Sequence, residues 1–423
     1  MRQLYTLLWY LVLPLIVLRL LWVSVHTPAY RERFAERFGF YRRPLRKGCV
    51  WIHAVSVGET LAAAPLIRAL LERYPDTPLL VTSTTPTGSE QVRLLFGERV
   101  THAYWPWDLP GAVERSFQQA EPSLVVLLET ELWPNLIRAA ERRGVPVLLV
   151  NGRLSAKSHR GYARWRSLIQ QSLSRLSLLA VQTAAEAERF IDLGASAERV
   201  VVTGNIKFDL QLDEGKRAIA EQLRAAIGNR PVWIAASTHA GEDEIALAAH
   251  RQVLQHWPTL LLILVPRHQE RFDQVVTLAK DEGLVTVRRS SGDVPTAQTQ
   301  VYLADTMGEL LALYGACDIA FVGGSLVPVG GHNLLEPAAW EKPVLSGPVL
   351  HNFTEVSALL TEANALQIVD DTTSLAAALQ HLLADPVEAQ LRGERAAAVV
   401  NRHRGALQKL LNLLQPLIAP GAP

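Results

Sequence analysis

Residues 49–97 run as Cys49–Val55 (CVWIHAV), Thr60–Tyr74 (TLAAAPLIRALLERY), Pro78–Thr84 (PLLVTST) and Thr87–Gly97 (TGSEQVRLLFG). The first and third are apolar runs of strand length, while the second and fourth space their Leu, Ile and Val residues as a helix does. Strand, helix and strand in succession make the repeating unit of a parallel sheet covered by helices. The rhythm continues through Leu124–Glu129 (LVVLLE) and Leu132–Gly144, Pro146–Asn151 and Ala163–Leu176, Leu178–Thr183 and Ala185–Gly194, to Arg199–Asn205 (RVVVTGN). A second cycle opens at Pro231–Thr238 (PVWIAAST) and passes through Glu242–Trp257, Leu260–Pro266 (LLLILVP), Arg271–Gly283, Val301–Ala304, Gly308–Ala316, Ile319–Ser325 (IAFVGGS), Leu334–Lys342 and Pro343–Gly347. The expected fold class is α/β, with two successive doubly wound, Rossmann-like halves.

Length agrees with two domains, because one hydrophobic core stops growing at roughly 250 to 300 residues and this chain has 423. The expected division is 1–26, an anchor helix; 27–210, the first half; 211–390, the second; and 391–423, a helical tail able to pack back across both. The linker is placed near the start of Phe208–Asn229, which is charged and weakly apolar. Hydrophobic residues at 49% and charged residues at 20% supply full-size cores. Cys49 and Cys317 are the only cysteines, too few for a disulfide framework or a four-ligand zinc site, and they fit a reducing compartment. A net charge of +1 excludes a strongly basic nucleic-acid binder.

Between Leu4 and Val25 the single charge is Arg19, and that length of helix covers roughly 33 Å, about one bilayer core. Seven basic residues follow between Arg31 and Lys47 against two acidic ones. By the positive-inside rule the globular body is then cytoplasmic. No small-residue cleavage site follows Val25, which argues against a removed signal peptide. Pro14, Arg19 and the aromatic residues Trp9, Tyr10 and Trp22 also suit a helix lying in the interface, although the length favours a span.

Ligands of doubly wound sheets bind beyond the carboxyl ends of the strands, which directs attention to the residues after each apolar run. The chain contains no Gly-x-Gly fingerprint, Walker A loop or His-Glu-x-x-His pair. It also lacks Asp-x-Asp, the usual holder of a phosphate-bound metal, so chemistry without a metal or other cofactor is expected. In His53–Thr60 (HAVSVGET), Glu59 either complements a positive helix N-terminus or, ionised at neutral pH, accepts a proton as a general base. Glu129 and Glu131, in Glu129–Asn135 (ETELWPN), cluster where the LVVLL strand should emerge. A carboxylate still on the strand is costly to bury without a purpose, whereas Glu131 fits a first helical turn and Trp133 fits the core. Lys207 leaves the RVVVTGN strand and suits phosphate or a sugar carboxylate, though most lone lysines are merely solvated. Arg267 and His268 end LLLILVP, where Arg267 offers a forked donor set for phosphate. Asp305–Glu309 (DTMGE) and Asn333–Glu336 (NLLE) fit capping boxes. Gly323, Gly324, Gly330 and Gly331 crowd the loop before the second of these and would give a ligand close access to the backbone at a positive helix end.

In order and spacing, Ser56–Glu59, Glu129–Asn135, Pro266–His268, Asp305–Leu310 and Gly330–Asn333 resemble the 3-deoxy-D-manno-octulosonic acid (Kdo) transferase family, and the resemblance covers essentially the whole chain. It implies a GT-B fold with an interdomain cleft, CMP-Kdo as donor and a disaccharide-bisphosphate lipid A precursor as acceptor, at the cytoplasmic face of the inner membrane. It implies Glu59 as general base of a single inverting displacement, Glu129 and Lys207 as stabilisers of the transition state, and a CMP site made by Arg267, His268, Met307, Gly308, Glu309, Leu310, Asn333, Leu334 and Glu336. The first half would take the acceptor and the second the CMP-sugar. Two rivals share the sheet type: a GT-B transferase using a UDP-sugar, and a nicotinamide oxidoreductase, which the missing Gly-x-Gly disfavours. A non-enzymatic membrane scaffold leaves the carboxylates at two strand ends unexplained.

Overall fold

A computed structural model describes residues 1–418. The chain divides into two compact units, Met1–Asp209 together with the chain from Arg404 on, and Leu210–His403. Each is built on a seven-stranded sheet in which every pairing is parallel.

In unit 1 the strands are β1 (Val50–His53), β2 (Leu79–Ser83), β3 (Thr101–Tyr104), β4 (Leu124–Leu128), β5 (Val147–Gly152), β6 (Leu178–Val181) and β7 (Val200–Val202), in the order β3-β2-β1-β4-β5-β6-β7. The order reverses between β1 and β4, so the switch-point crevice lies at their carboxyl ends. Alternation sends Val50 and Ile52 to one face, against Leu66, Ile67 and Leu70 of helix Val57–Arg73. Trp51 goes to the other, against Phe117 and Leu136. A strand covered on both faces must be apolar at every position, which is why these segments read as unbroken runs.

Unit 2 comprises β8 (Val232–Thr238), β9 (Leu261–Pro266), β10 (Thr286–Arg288), β11 (Val301–Leu303), β12 (Ile319–Val322), β13 (Val344–Ser346) and β14 (Leu366–Ile368), ordered β10-β11-β9-β8-β12-β13-β14. Its switch point lies between β8 and β12. Trp233 and Phe321 pack on one face, and Ile234 and Ala320 on the other.

Several expectations need correction. The C-terminal segment, expected as one helix, is two, Pro386–His403 in unit 2 and Ala406–Ile418 in unit 1, broken at Gly405 with φ +102°. The Asp209 carboxylate receives the Gly405 and Leu407 amides at 2.6 and 2.7 Å and so caps the last helix. Residues 419–423 of the expected tail lie outside the described residues. In the basic stretch, Arg33 and Arg37 do not serve the surface. Arg33 bonds Ser89 and the His102 carbonyl, and the fully buried Arg37 donates to the Thr84 carbonyl at 2.9 Å. Arg31, Arg42, Arg43, Arg46 and Lys47 remain exposed. The N-terminal apolar run is one helix, Arg2–His26, long and apolar enough to cross a membrane.

Candidate active site

At the switch point of unit 1, Ser56 caps helix Val57–Arg73 by accepting the Glu59 amide, and Glu59 Oε2 in turn accepts the Val55 amide at 2.9 Å. Glu59 does complement its helix, yet its other oxygen has no hydrogen bond among the described residues. Burial raises its pKa from the usual carboxylate range to about 7, the charges of Glu129 and Glu131 push the same way, and Lys207 opposes them. Glu59 is therefore divided between its two forms at neutral pH, where the sequence suggested full ionisation.

Glu129 stands one residue beyond β4 rather than on it, at φ +55°. The left-handed conformation is uncommon for a side-chain-bearing residue and marks a position held by its surroundings. Its amide bonds the Val150 carbonyl at 3.0 Å, and Lys207 Nζ lies 3.2 Å from its Oε1. Lys207 is itself placed from below. Ile206 and Phe208 are fully buried on either side, the Ile206 amide donates to Asn151 Oδ1, and the Lys207 amide donates to Asn205 Oδ1, both at 3.1 Å. Glu131 is not in a helical first turn. It sits in the loop before helix Pro134–Glu141, whose N-cap is the partly buried Trp133, and burial followed by the Glu129 charge lifts it to about 7. Three carboxylates and one ammonium thus share a single electrostatic neighbourhood.

At the switch point of unit 2 histidines and an arginine stand beside the carboxylates. His239, directly after β8, and His332 lie with their Nε2 atoms 2.9 Å apart and their rings stacked, and His268 approaches His239 edge-on at 5.2 Å. Burial lowers both pKa values, that of His332 to about 4, and the nearby Arg267 adds to the effect. The Arg267 amide bonds the Thr238 carbonyl at 2.9 Å, which fixes the backbone of the Arg267–His268 step at the β8 end. Glu336 is raised to about 7 by burial, with Asn333 and then Arg267 drawing it down.

The glycines beside this group do not open the backbone to a ligand. The fully buried Glu242 carboxylate accepts the amides of His239, Gly324, Ser325 and Leu326 at 2.7 to 3.0 Å. A Cβ on Gly323 would stand 2.9 Å from that carboxylate, and one on Gly324, at φ +68°, 2.7 Å from the His332 ring. The nest that could cradle an anion is filled by the chain's own side chain.

Neither expected capping box forms in full. Asp305 binds Arg288 and Ser290, and Glu309 makes a two-pronged ion pair with Arg289 at 2.6 Å on each prong. The helix that follows Glu309 spans four residues, Leu310–Leu313, and the one that follows Leu334 spans five, Leu335–Ala339. Asn333 Oδ1 accepts the Leu335 amide while its Nδ2 donates to Glu336, both at 3.1 Å. Leu334 is buried packing, whereas Met307 and Gly308 are exposed. Among the described residues no hydrogen bond or ion pair joins Glu309 to Arg267 or Glu336. His239 and Glu242 lie outside every sequence motif, and His332, inside the Gly330–Asn333 segment, carries no role there, although His239 and Glu242 follow the β8 run, where position alone was the signal.

Two parallel doubly wound units, each with polar residues gathered at its switch point, define the GT-B class of α/β proteins. The fold of UDP-GlcNAc 2-epimerase from Neisseria meningitidis, bound to UDP-GlcNAc, agrees with a TM-score of 0.56 at 17% identity over 86% of this chain and 99% of that one. A family model described as 3-deoxy-D-manno-octulosonic-acid transferase (kdotransferase) matches residues 32–210. The 3-deoxy-D-manno-octulosonic acid transferase of Haemophilus influenzae is 44% identical over 99% of each chain, and that of Bordetella pertussis 40% identical over 86% of each. The chain belongs to the Kdo transferase family and is a glycosyltransferase.

Proposed function

We propose that this chain transfers Kdo, with inversion, from CMP-Kdo to the disaccharide-bisphosphate lipid A precursor during lipopolysaccharide assembly, with Glu59 as the general base. The observation that carries this reading is a partly buried carboxylate with one oxygen free of hydrogen bonds among the described residues and a pKa of about 7, at the β1/β4 switch point next to the Glu129–Lys207 pair. A base tuned near the working pH is both substantially ionised and basic enough to accept a proton. In the reaction the acceptor's primary hydroxyl gives its proton to Glu59 while its oxygen bonds to the anomeric carbon. The bond from that carbon to the phosphate oxygen breaks, and its electron pair leaves on CMP. Lys207, held by Glu129, offers positive charge to the acidic sugar. In unit 2, Arg267 and His268 take the CMP phosphate and Asn333 and Glu336 the nucleoside hydroxyls, while Met307–Leu310 form a shelf fixed by the Arg289–Glu309 pair. Preorganised charge of this kind stabilises the departing phosphate.

The test is mass analysis of the product formed from CMP-Kdo and lipid A precursor, run beside a UDP-sugar donor. Addition of Kdo mass to the precursor supports the reading, and turnover with only the UDP-sugar overturns it.

A further inference from the structure

The helix Arg2–His26 passes every length test for a membrane span, yet it is fastened along its length to unit 1. At its start the Arg2 guanidinium and the Thr6 hydroxyl both donate to Asn135 Oδ1, at 3.2 and 3.1 Å, and the Tyr5 hydroxyl bonds the Asp108 carboxylate. Along its middle, Trp9, Leu13, Ile16, Val17 and Leu20 pack against the cluster of Trp107, Leu109 and Ala112. Near its end, Ser24 accepts the Arg31 side chain at 2.7 Å. The attachments from Arg2 to Leu20 cover about 27 Å of helix, nearly the whole thickness of a hydrocarbon core. A helix that crossed the bilayer would either pull these groups apart or carry the Asp108 carboxylate and the Asn135 amide into hydrocarbon, where no water replaces their lost hydrogen bonds.

The opposite face of the same helix is bare. Leu4, Leu11, Leu15, Leu18, Trp22 and Val25, spaced three, four or seven residues apart, are between 45% and 70% exposed. The stripe contains no acidic residue, and the first in the chain is Glu32. Arg19 on this helix and Arg42, Arg43 and Arg46 soon after it are exposed and make no ion pair among the described residues. A homodimeric helix seam would carry charged flanks that set pairing and register. Here the flanking positions Leu8, Val12 and Leu21 are apolar and also exposed. An apolar face with cationic neighbours matches an anionic lipid surface.

We propose that Arg2–His26 does not cross the membrane but lies in one leaflet, its bare stripe in the acyl region and its packed face against unit 1. Asn135, which holds the start of this helix, is in the first turn of Pro134–Glu141, four residues after Glu131. The loop carrying Glu129 and Glu131 is thereby seated at headgroup depth, where the sugar of a lipid acceptor lies. That purpose rests on the proposed function, but the placement of the helix does not.

The test uses the full chain in inverted membrane vesicles from expressing bacteria and a membrane-impermeant maleimide. Single cysteines are introduced as Gln3→Cys and Thr27→Cys at the two helix ends, Leu15→Cys on the stripe, and Lys157→Cys on the exposed surface of unit 1. The native Cys49 and Cys317 are buried, and the unsubstituted chain serves as the blank. Gln3→Cys, Thr27→Cys and Lys157→Cys should label equally before lysis, with a bimane on Leu15→Cys quenched by nitroxide-bearing lipid. Protection of Gln3→Cys until detergent is added, while Lys157→Cys labels freely, would establish a span and overturn the proposal. So would free aqueous labelling of Leu15→Cys, or its oxidation to a disulfide-linked pair of chains. Because the readout is labelling, a wrong donor or acceptor would leave these results unchanged.

Discussion

The two units obey one winding rule and place their polar residues at the same topological position, yet their chemistry is opposite. Unit 1 gathers Glu59, Glu129 and Glu131 around a single lysine, and burial with mutual repulsion raises Glu59 and Glu131 to about 7. Unit 2 gathers Arg267, His239, His268 and His332, and burial with neighbouring positive charge lowers His332 to about 4. Under the proposed function one crevice takes up a proton and the other receives an anion. A doubly wound sheet fixes where a ligand sits, while the loop residues decide what kind of ligand it is.

The sharpest break of this contrast is Glu59→Gln, which keeps size and polarity but cannot accept the hydroxyl proton. Single-turnover transfer should fall about 10²- to 10⁴-fold while CMP affinity, which the proposed function assigns to unit 2, stays unchanged in calorimetry. If Glu59 served its helix alone, the variant would lose only about 0.3 to 1 kcal/mol of stability and transfer at a near-normal rate. Glu72→Gln, exposed on the same helix, is the control. In unit 2 the largest effect should come from Glu242→Ala. It strands four backbone amides, and one stranded buried donor costs about 1–3 kcal/mol. Urea unfolding should therefore show a loss above about 3 kcal/mol, and an unchanged midpoint would mean that the nest accepts water or an external anion in place of Glu242.

Replacing His332 by Gln removes one group from the anion crevice. The expected cost is about tenfold in CMP affinity, the worth of one charge-assisted hydrogen bond, with no effect on the pH dependence of the chemical step. The smallest effects are shifts in that pH dependence. Only ionised Glu59 acts as a base, so the single-turnover rate should rise about tenfold per pH unit below the folded pKa of about 7 and level off above it. Lys207→Met removes a charge that lowers this pKa and should move the inflection up. Glu131→Gln removes one that raises it and should move the inflection down. Shifts of the same sign in both variants would place the inflection on another group.

How much of this was legible depended on depth in the sheet. The β1, β4, β8, β9 and β12 runs were readable because central strands are covered on both faces and must be apolar throughout. Thr101–Tyr104, Thr286–Arg288 and Leu366–Ile368 were missed. They are three or four residues long, at the edges of their sheets, and partly exposed, so no apolar run marks them. Missing Thr286–Arg288 also hid Arg289, and without Arg289 the Glu309 carboxylate looked like a helix cap. Glu59 and Glu129 were recognisable as residues just past strand ends. The Glu242 nest was not, because Gly324, Ser325 and Leu326 are more than eighty residues away in sequence. The His239–His332 pair spans a similar gap, and local patterns record neighbours along the chain rather than across it.

The return of the last helix to unit 1 has a consequence for synthesis. Ala406, Leu407, Leu410, Leu411 and Leu414 belong to the same core cluster as Val50, Ile52 and Leu66, and Asp209 cannot cap that helix until it exists. Domains generally form in order as a chain leaves the ribosome, at about 5–20 residues per second. Here the N-terminal unit must wait with part of one sheet face uncovered while all of Leu210–His403 is made and free to fold. A nascent polypeptide therefore lacks part of the core cluster that carries β1 and β4, and the carboxylates beyond those strands reach their final setting only once Ala406–Ile418 has been made.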